Sequence, residues 1–192
     1  MTESILELRQ YVLRPGRRDR FVERFEREFV DTQEEQGIRV VGTFLDLDHP
    51  DRFVWLRAFA SYDDRERALT AFYVDGPVWA SLKDETNADL IDSGDVLVLA
   101  PLAHVAAPAV TRDEVEIHVW AAGSDGGAAV LEALAPVPCH TLAASDPRPN
   151  NFPRQPVRDD PAVVLVAPTS PVTVGGRLQR LRLAPTPRSV LR

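Results

Sequence analysis

The sequence predicts an α+β fold in which two ferredoxin-like halves bring their antiparallel sheets together as one α/β barrel, with a degenerate second half. The first observation is the order of strands and helices, βαββαβ, over roughly the first hundred residues. The second is that strand-like segments recur later in the chain at a constant spacing. The third is a hydrophobic content of 44% in 192 residues, which is enough to form a sizeable core.

The first strand and the first helix are the clearest elements of the first half. Residues Ile5–Leu13 alternate between apolar and polar side chains, and this period of two predicts a strand. Pro15 and Gly16 end the strand, and a helical pattern then covers Arg17–Gln36. Because a phenylalanine recurs every four residues along this helix, we expect the phenylalanine stripe to lie in the core. The stripe consists of Phe21, Phe25 and Phe29.

The next segments complete the ferredoxin-like order. Ser61 followed by Asp64 resembles the start signal of a helix, with Asp in the place of the usual Glu. A break at Asp75-Gly76-Pro77 separates that helix from a further short helical piece. The predicted elements are strands at Val40–Leu47 and Phe53–Ala60, a helix from Ser61 to Val74, a helical piece at Val78–Asn87 and a strand at Val96–Leu99.

Many short motifs of the first half fall in the order and at the spacing of one known family. They are Leu6-Glu7-Leu8-Arg9-Gln10-Tyr11, Leu13-Arg14-Pro15-Gly16, Phe25, Gly37, Val41-Gly42-x-Phe44, Trp55, Asp64-Arg65 and Gly76-Pro77-x-Trp79. On these motifs, the chain resembles the NIPSNAP family over residues 5–101. The resemblance implies an antiparallel sheet with helices on one face. It also implies that two such sheets pair into a barrel, usually between two chains.

The second half of the chain repeats the strand pattern of the first. Residues 116–120 align with residues 7–11 at an offset of 109 (116 minus 7). Residues 160–167 align with residues 51–58 at the same offset (160 minus 51). Because the offset is unchanged across a helix and a strand, the pattern predicts an internal repeat.

The last strand indicates that the second copy is shortened. Residues 181–185 align with residues 97–101 at an offset of 84 (181 minus 97), so 25 residues (109 minus 84) are missing between the third and fourth strands of the second copy. The sequence therefore predicts a NIPSNAP-like half at residues 1–105 and, at residues 112–192, a repeat that lacks its second helix. Because one chain supplies both sheets, we expect an intramolecular pseudo-dimer.

The connections of the second half also differ from those of the first. Its first helix is predicted to be short, at about Asp125–Ala135, and a tight turn at Ser170–Gly176 replaces its second helix. A long proline-rich loop covers Asp146–Asp160. Two interpretations of this loop stay open. It is either part of a degenerate half that is retained because it completes the barrel, or a lid over a site.

A ligand site is predicted on the first strand of each copy. Both strands place a carboxylate, a basic or imidazole group and an aromatic ring at alternate positions, so that these groups share one face. We expect the aliphatic face of each strand to cover the helices and the polar face to lie between the sheets, where it would line a concave pocket. The predicted ligand-binding residues are Glu7, Arg9, Tyr11, Trp55, Arg57, Glu116, His118 and Trp120.

These residues have a functional and a structural interpretation. In a partly dry cavity, Glu7 or His118 could acquire a shifted pKa and move protons, and Arg9 or Arg57 could hold a substrate oxyanion. In the simpler interpretation, Glu7 pairs with an arginine, His118 bonds a backbone carbonyl, and the set joins the two sheets.

Charge and composition argue against several classes of partner. The net charge of −7 disfavours nucleic acid and anionic membranes. Cys139 is the only cysteine, and the histidines lack the spacing of metal ligands, so we expect neither a disulfide nor a metal site. We expect no cofactor, although the sequence leaves haem use open. Without a signal peptide or an apolar span, we expect a cytoplasmic protein, and further oligomerisation stays open.

Three functions remain as hypotheses. The first is a NIPSNAP-type barrel that binds a small organic molecule between its sheets, with no assigned reaction. The second is a cofactor-independent enzyme, such as an oxygenase, isomerase or cyclase, that acts on an aromatic or polyketide-like substrate. This second hypothesis rests on analogy of fold alone. The third is a non-catalytic interaction scaffold, for which a filled barrel with an exposed apolar patch would argue.

Overall fold

The computed structural model describes residues 4–103, 114–168 and 172–191 of the chain. The strands of the first half are β1 at Ile5–Leu13, β2 at Arg39–Asp46, β3 at Arg52–Phe59 and β4 at Leu90–Ala103. Its helices are α1 at Arg18–Arg24, α2 at Val30–Glu35, α3 at Tyr62–Tyr73 and α4 at Pro77–Asp89. The second half comprises β5 at Val115–Ala121, α5 at Ala128–Leu134, β6 at Thr141–Ser145, β7 at Ala162–Pro168 and β8 at Arg177–Pro185.

The eight strands form one closed antiparallel barrel within a single chain. Their order around the barrel is β1-β3-β2-β8-β5-β7-β6-β4. Each half contributes four neighbouring strands in the same relative order, β4-β1-β3-β2 and β8-β5-β7-β6. The two sheets join where β2 pairs with β8 and where β4 pairs with β6. The predicted barrel of two ferredoxin-like sheets in one chain is thus confirmed.

Apolar side chains from all eight strands, mostly aliphatic, fill the interior of the barrel. An interior enclosed by eight strands is just wide enough for side chains to close it, so it forms a core shared by both halves. The buried cluster contains Leu6, Leu8, Phe44, Val54, Leu56, Ala58, Leu97, Leu99, Val115, Ile117, Val119, Ala143, Ala162, Val164, Val166, Leu181 and Leu183.

The prediction for the two faces of β1 is wrong. Leu6 and Leu8 point into the barrel, whereas Tyr11 packs on the outside against the helices. Glu7 and Arg9 alternate with the leucines and share the outer face with Tyr11. Both faces of this strand are buried, so alternation alone does not tell which face covers the helices. The aliphatic face turns inward together with Gln10, whose side-chain amide is paired with that of Gln179 of β8.

The same correction applies to the other predicted site residues. Trp55 packs on the outer face of the first sheet, and Arg57 lies two residues along on that face. On β5, Trp120 packs outside the second sheet, and Glu116 and His118 alternate with inward-pointing residues of the barrel core. The predicted site residues therefore do not line a pocket between the sheets. They lie on two separate outer faces, one on each sheet.

The first helical segment covers the outer face of the first sheet and departs from the predicted regular helix. It runs from α1 through a π-helical turn at Phe25–Phe29 into α2. A step of four residues turns about 40° too far around an α-helix, so a stripe of period four drifts away from the sheet. The wider π-helical turn offsets this drift, and it keeps Phe21, Phe25 and Phe29 in one buried cluster, as predicted.

Several element boundaries differ from the predicted ones. Strand β4 begins at Leu90, well before the predicted start at Val96, and α5 begins at Ala128, not at Asp125. Of the predicted turn at Ser170–Gly176, the described residues 172–176 form no helix, and Ser170 lies outside the described residues. The predicted division between residues 105 and 112 also lies outside them and stays a prediction. Within the described ranges, no helix is long and apolar enough to cross a membrane.

Strand pairing tests the register of the aligned segments. Leu6 pairs with Leu99 and Val115 pairs with Leu183, which agrees with offsets of 109 (115 minus 6) and 84 (183 minus 99). In contrast, Glu7 pairs with Arg57 whereas Glu116 pairs with Ala167, so β7 follows β3 at an offset of 110 (167 minus 57). The offset of 109 assigned to this strand is wrong by one residue, which exchanges its two faces. The internal repeat itself stays a prediction.

The shared interior predicts that both halves unfold together. Leu8→Ala and Leu183→Ala each remove a side chain from the barrel core, one in each half. We expect each variant to lose about 2–5 kcal/mol of unfolding free energy and to keep one cooperative transition. Urea denaturation followed by circular dichroism and by tryptophan fluorescence should give coincident curves, and Leu178→Ala, at an exposed site, serves as the control. Two separate transitions would contradict a common core.

Candidate functional site

A cluster of four buried charged residues lies on the outer face of the first sheet. Glu7 of β1 is directly opposite Arg57 of β3, Arg9 is the next outward residue of β1, and Arg65 projects from α3. The Glu7 carboxylate contacts Arg9 Nη1 at 2.8 Å, Arg57 Nε at 2.7 Å and Arg65 Nε at 2.6 Å. All four side chains are fully buried. One carboxylate therefore holds three guanidinium groups in place.

Electrostatics keep Glu7 ionised despite its burial. Loss of water alone would raise the pKa of this carboxyl, but the attraction of Arg57, Arg9 and Arg65 outweighs that effect and holds the pKa well below its ordinary value of 4.5. A carboxylate fixed in this way does not exchange protons near neutral pH. The cluster therefore matches the structural interpretation of Glu7 better than the role of a general base.

Arg9 connects the ion cluster to neutral polar groups. Its Nε donates a hydrogen bond to Tyr11 Oη at 3.0 Å, and its Nη2 donates to Gln155 Oε1 at 2.6 Å. The guanidinium also lies 5.6 Å from the ring centre of Trp55. Burial raises the pKa of Tyr11, so its phenol keeps its proton. Because arginine only donates, the hydroxyl hydrogen of Tyr11 is left to point elsewhere.

Arg57 makes the same kind of connection on the neighbouring strand. Its Nη1 donates to Gln33 Oε1 at 3.3 Å and to Tyr73 Oη at 3.2 Å. The guanidinium lies 5.1 Å from the ring centre of Trp55, within the range of a cation–π contact. The arginines thus occupy the oxygen acceptors of both phenols and of both amides.

A cavity of about 420 Å³ opens beside this network, between the outer face of the sheet and the helices. Its size lies within the range typical of small-molecule sites. The aromatic lining residues are Tyr11, Phe21, Phe25, Phe29, Trp55, Phe72, Tyr73 and Trp79. The polar lining residues are Gln33, Lys83, Thr86, Asn87, Ser93, Arg154 and Gln155, and Leu90 and Pro156 complete the wall. We call this cavity the aromatic pocket.

Two buried donors in the wall of the aromatic pocket lack partners. Trp55 Nε1 and Thr86 Oγ1 form no hydrogen bond within the described part of the chain. Their residues are only 1% and 3% exposed. A buried polar group without a partner is unfavourable, and such groups in a cavity wall are expected where a bound molecule or water supplies the partner.

The proline-rich loop of the second half closes one side of the aromatic pocket. Arg154, Gln155 and Pro156 contribute to its wall, and Phe152 is buried among the aromatic rings of the first half. Arg65 Nη1 donates to Asn150 Oδ1 at 3.1 Å, which ties the loop to the ion cluster. The loop thus lies over the site, as the lid interpretation requires, although opening of the loop stays a prediction.

The predicted residues of β5 form a second polar group on the outer face of the second sheet. His118 Nε2 lies 2.9 Å from a carboxylate oxygen of Glu116, which also binds Arg180 through Nε at 3.2 Å. Arg177 lies 3.0 Å from His118 Nδ1, so Nδ1 must be the acceptor and Nε2 carries the proton of a neutral ring. Burial lowers the pKa of His118, and Trp120 stacks on its ring at 5.7 Å.

Comparison with known proteins places the chain in a family. A model of the NIPSNAP family matches residues 6–105, which is more than half of the chain. The chain belongs to the NIPSNAP family. A NIPSNAP-like domain protein of Burkholderia xenovorans is 26% identical over 55% of this chain and 90% of its own, with a TM-score of 0.48. The comparison with curated proteins gave no match.

Two further solved structures share the whole fold. They are described as candidate monooxygenases, from Lactobacillus acidophilus and Fusobacterium nucleatum, and each matches 96% of this chain. Their identities are 13% and 9%, they are covered over 94% and 93% of their own chains, and their TM-scores are 0.57 and 0.64. At such identities the likeness shows a common fold alone.

The NIPSNAP match contains the ion cluster and most of the aromatic pocket. Of the predicted site residues, Tyr11 and Trp55 line the pocket, and Glu7, Arg9 and Arg57 lie behind its wall. The three residues predicted on β5 belong to the separate polar group of the second half. The eight predicted residues are therefore not brought together in one site.

Several residues of the site were not predicted. Arg65 completes the ion cluster, and the Asp64-Arg65 motif at the start of α3 was the signal that pointed to it. Trp79 lines the pocket and lies in the Gly76-Pro77-x-Trp79 motif. No sequence motif pointed to Gln155, because its partner Arg9 lies 146 positions away in the sequence.

The ion cluster predicts that replacing one charged side chain by an uncharged one strongly lowers the stability of the protein. Glu7→Gln leaves three fully buried guanidinium groups without a counter-charge, and we expect it to lower the unfolding free energy by about 3–5 kcal/mol. Glu23→Gln, which removes an exposed ion pair with Arg27, should change it by less than about 1 kcal/mol. Urea denaturation of both variants measures the difference. Equal effects would show that the buried carboxylate is dispensable.

The pKa of Glu7 also predicts how this difference depends on pH. A carboxyl with a depressed pKa in the folded state adds stability above its unfolded pKa and loses it as the pH falls. The gap in unfolding free energy between wild type and Glu7→Gln should therefore be constant from pH 7 to pH 5.5. Below the ordinary value of 4.5 it should shrink. A gap that stays constant down to pH 3 would contradict the assignment.

Proposed function

We propose that this protein binds a small organic molecule in the aromatic pocket, between the first sheet and its helices. The observation that carries the proposal is a cavity of about 420 Å³ whose wall combines aromatic rings with the unpartnered donors of Trp55 and Thr86. A wall of rings with a few fixed polar groups is the usual composition of a small-molecule site. A structural core would gain more from closing such a space.

The aromatic pocket also has the support that a binding site needs. The phenol of Tyr11 is fixed by Arg9, and the phenol of Tyr73 is fixed by Arg57. Both arginines are in turn held by Glu7. The ion cluster therefore orients the polar groups of the wall from behind, so that little freedom is lost when a ligand binds.

Binding is favoured here over acid–base chemistry. Among the described residues that line the pocket there is no carboxylate and no imidazole. Glu7 is held ionised by three arginines, and His118 lies on the other sheet. The enzyme hypothesis would need a proton-transfer group at the ligand, and the two groups that the sequence suggested for that role do not reach this pocket.

The scaffold hypothesis fits the same residues less well. The barrel interior is filled, as a scaffold would require. A scaffold gives no reason, however, for leaving a cavity with unpartnered donors under the helices. The aromatic pocket therefore favours a bound molecule.

A blocking substitution tests the proposed function. Ser93 of β4 lines the pocket, so Ser93→Phe should fill part of it, whereas Ser124→Phe places the same ring on an exposed turn of the second half. We expect at least one of 2-naphthoate, 2-naphthylmethanol and 2-naphthylmethylamine to bind wild type once per chain by calorimetry. At about 100 times its dissociation constant it should add about 2.7 kcal/mol of stability.

The two variants separate pocket binding from surface binding. Ser93→Phe should lower the affinity for the probe that binds wild type at least about tenfold, and Ser124→Phe should leave this affinity unchanged. The proposal fails if none of the three probes binds, or if Ser93→Phe and Ser124→Phe bind the probe equally well.

A further inference from the structure

The ion cluster behind the aromatic pocket carries more positive than negative charge. Glu7 supplies one carboxylate, while Arg9, Arg57 and Arg65 supply three guanidinium groups, all fully buried. Asp146, whose pKa Arg65 helps to lower, is already paired with Arg148. The remaining partners of the three arginines are neutral amides and phenols, so two positive charges of the cluster have no counter-charge among the described residues.

The arginines also determine which groups the pocket wall presents. Because a guanidinium only donates, the oxygens that accept from Arg9 and Arg57 turn their own hydrogens away from the arginines. Tyr11 and Tyr73 therefore keep their hydroxyl hydrogens for other partners. Gln155 uses its oxygen on Arg9, and its Nε2 forms no hydrogen bond with the described residues. These arginine-bound groups therefore have donors left over, whereas Thr86, Asn87 and Ser93 of the same wall can both donate and accept.

The mouth of the aromatic pocket is also positively charged. Lys83 of α4 and Arg154 of the proline-rich loop line it, and neither forms an ion pair within the described ranges. The described lining residues include no aspartate or glutamate. Of the acids of α4, Glu85 and Asp89 are engaged by Arg24, and Asp84, next to Lys83 in sequence, does not line the pocket. The mouth therefore presents two free cations to an incoming molecule.

We propose that the aromatic pocket selects an organic anion, namely an aromatic carboxylate whose ring packs among the phenylalanines and whose oxygens accept from the donors of the wall. This inference rests on the proposed function. The unpartnered Trp55 Nε1 and Thr86 Oγ1 would gain acceptors, and the carboxylate would supply charge that the ion cluster lacks. An ammonium group would instead add a further positive charge beside the ion cluster and the cations at the mouth, and it has no acceptor for Trp55 Nε1.

Three probes with one ring system test this selection. The carboxylate 2-naphthoate, the neutral alcohol 2-naphthylmethanol and the cation 2-naphthylmethylamine differ only in the polar group. By calorimetry at pH 7.5 we expect 2-naphthoate to bind at least about tenfold tighter than the alcohol, and the amine to bind weakest. The inference is overturned, with the proposed function intact, if the alcohol or the amine binds as tightly as 2-naphthoate. If none of the three binds, the proposed function fails as well.

Matched variants show whether the pocket itself makes the selection. Lys83→Gln removes a cation at the mouth, and Thr86→Val removes a donor while it keeps the shape of the side chain. Arg17→Gln removes one positive charge from an exposed position outside the pocket lining. We expect the first two variants to lower the affinity for 2-naphthoate several-fold with little effect on the affinity for the alcohol. Arg17→Gln should leave both affinities unchanged. If neither weakens 2-naphthoate more than Arg17→Gln does, the preference arises from overall charge and the inference is wrong.

Discussion

The filling of the barrel interior is the constraint on which the rest of this structure depends. All eight strands contribute apolar side chains to it, and Leu8 and Leu183 show how each half supplies its share. Because side chains alternate along a strand, every residue between two inward-pointing ones is committed to an outer face. The charged and aromatic residues of β1 and β3 therefore have to be satisfied outside the barrel, by helices and by a loop.

The two outer faces solve this problem differently. On the first sheet, α3 and the proline-rich loop supply partners for the arginines, and the π-helical turn directs aromatic rings at the same surface. On the second sheet, only the short α5 is present among the described helices, and Glu116 meets an arginine of the adjacent β8 instead. The first face can thus enclose a pocket, whereas the polar group on the second face finds its partners within its own sheet. The asymmetry follows from the number of helices in each half, four in the first and, among the described residues, one in the second, more than from the residues of β5.

The sequence allowed most strands, most helices and the closed barrel to be predicted, because these depend on local period and on the recurrence of whole segments. The short β6 at Thr141–Ser145 was not predicted. The faces of β1 could not be predicted in the same way, since a period of two is identical whichever side is enclosed. The register of β7 failed for a related reason: its run of valines is apolar on both faces, so Val163 and Val164 give no signal that distinguishes them. The contact of Gln155 with Arg9 joins a loop to a strand 146 positions away in sequence, and no local pattern indicates such a contact.

The position of the pocket gives the shortened second half a role beyond closing the barrel. Its proline-rich loop leaves the second sheet at Asp146, where the backbone bonds to Val98 of the first half, and returns at Arg158, where it bonds to Val96. Between these anchors the loop lies over the ion cluster and buries Phe152 among the rings of the first half. The binding site is thus made by both halves although its fixed groups lie in one of them. A first half on its own would uncover Arg9 and Arg65, the two arginines that bond to the loop, and water near them would weaken their hold on Glu7.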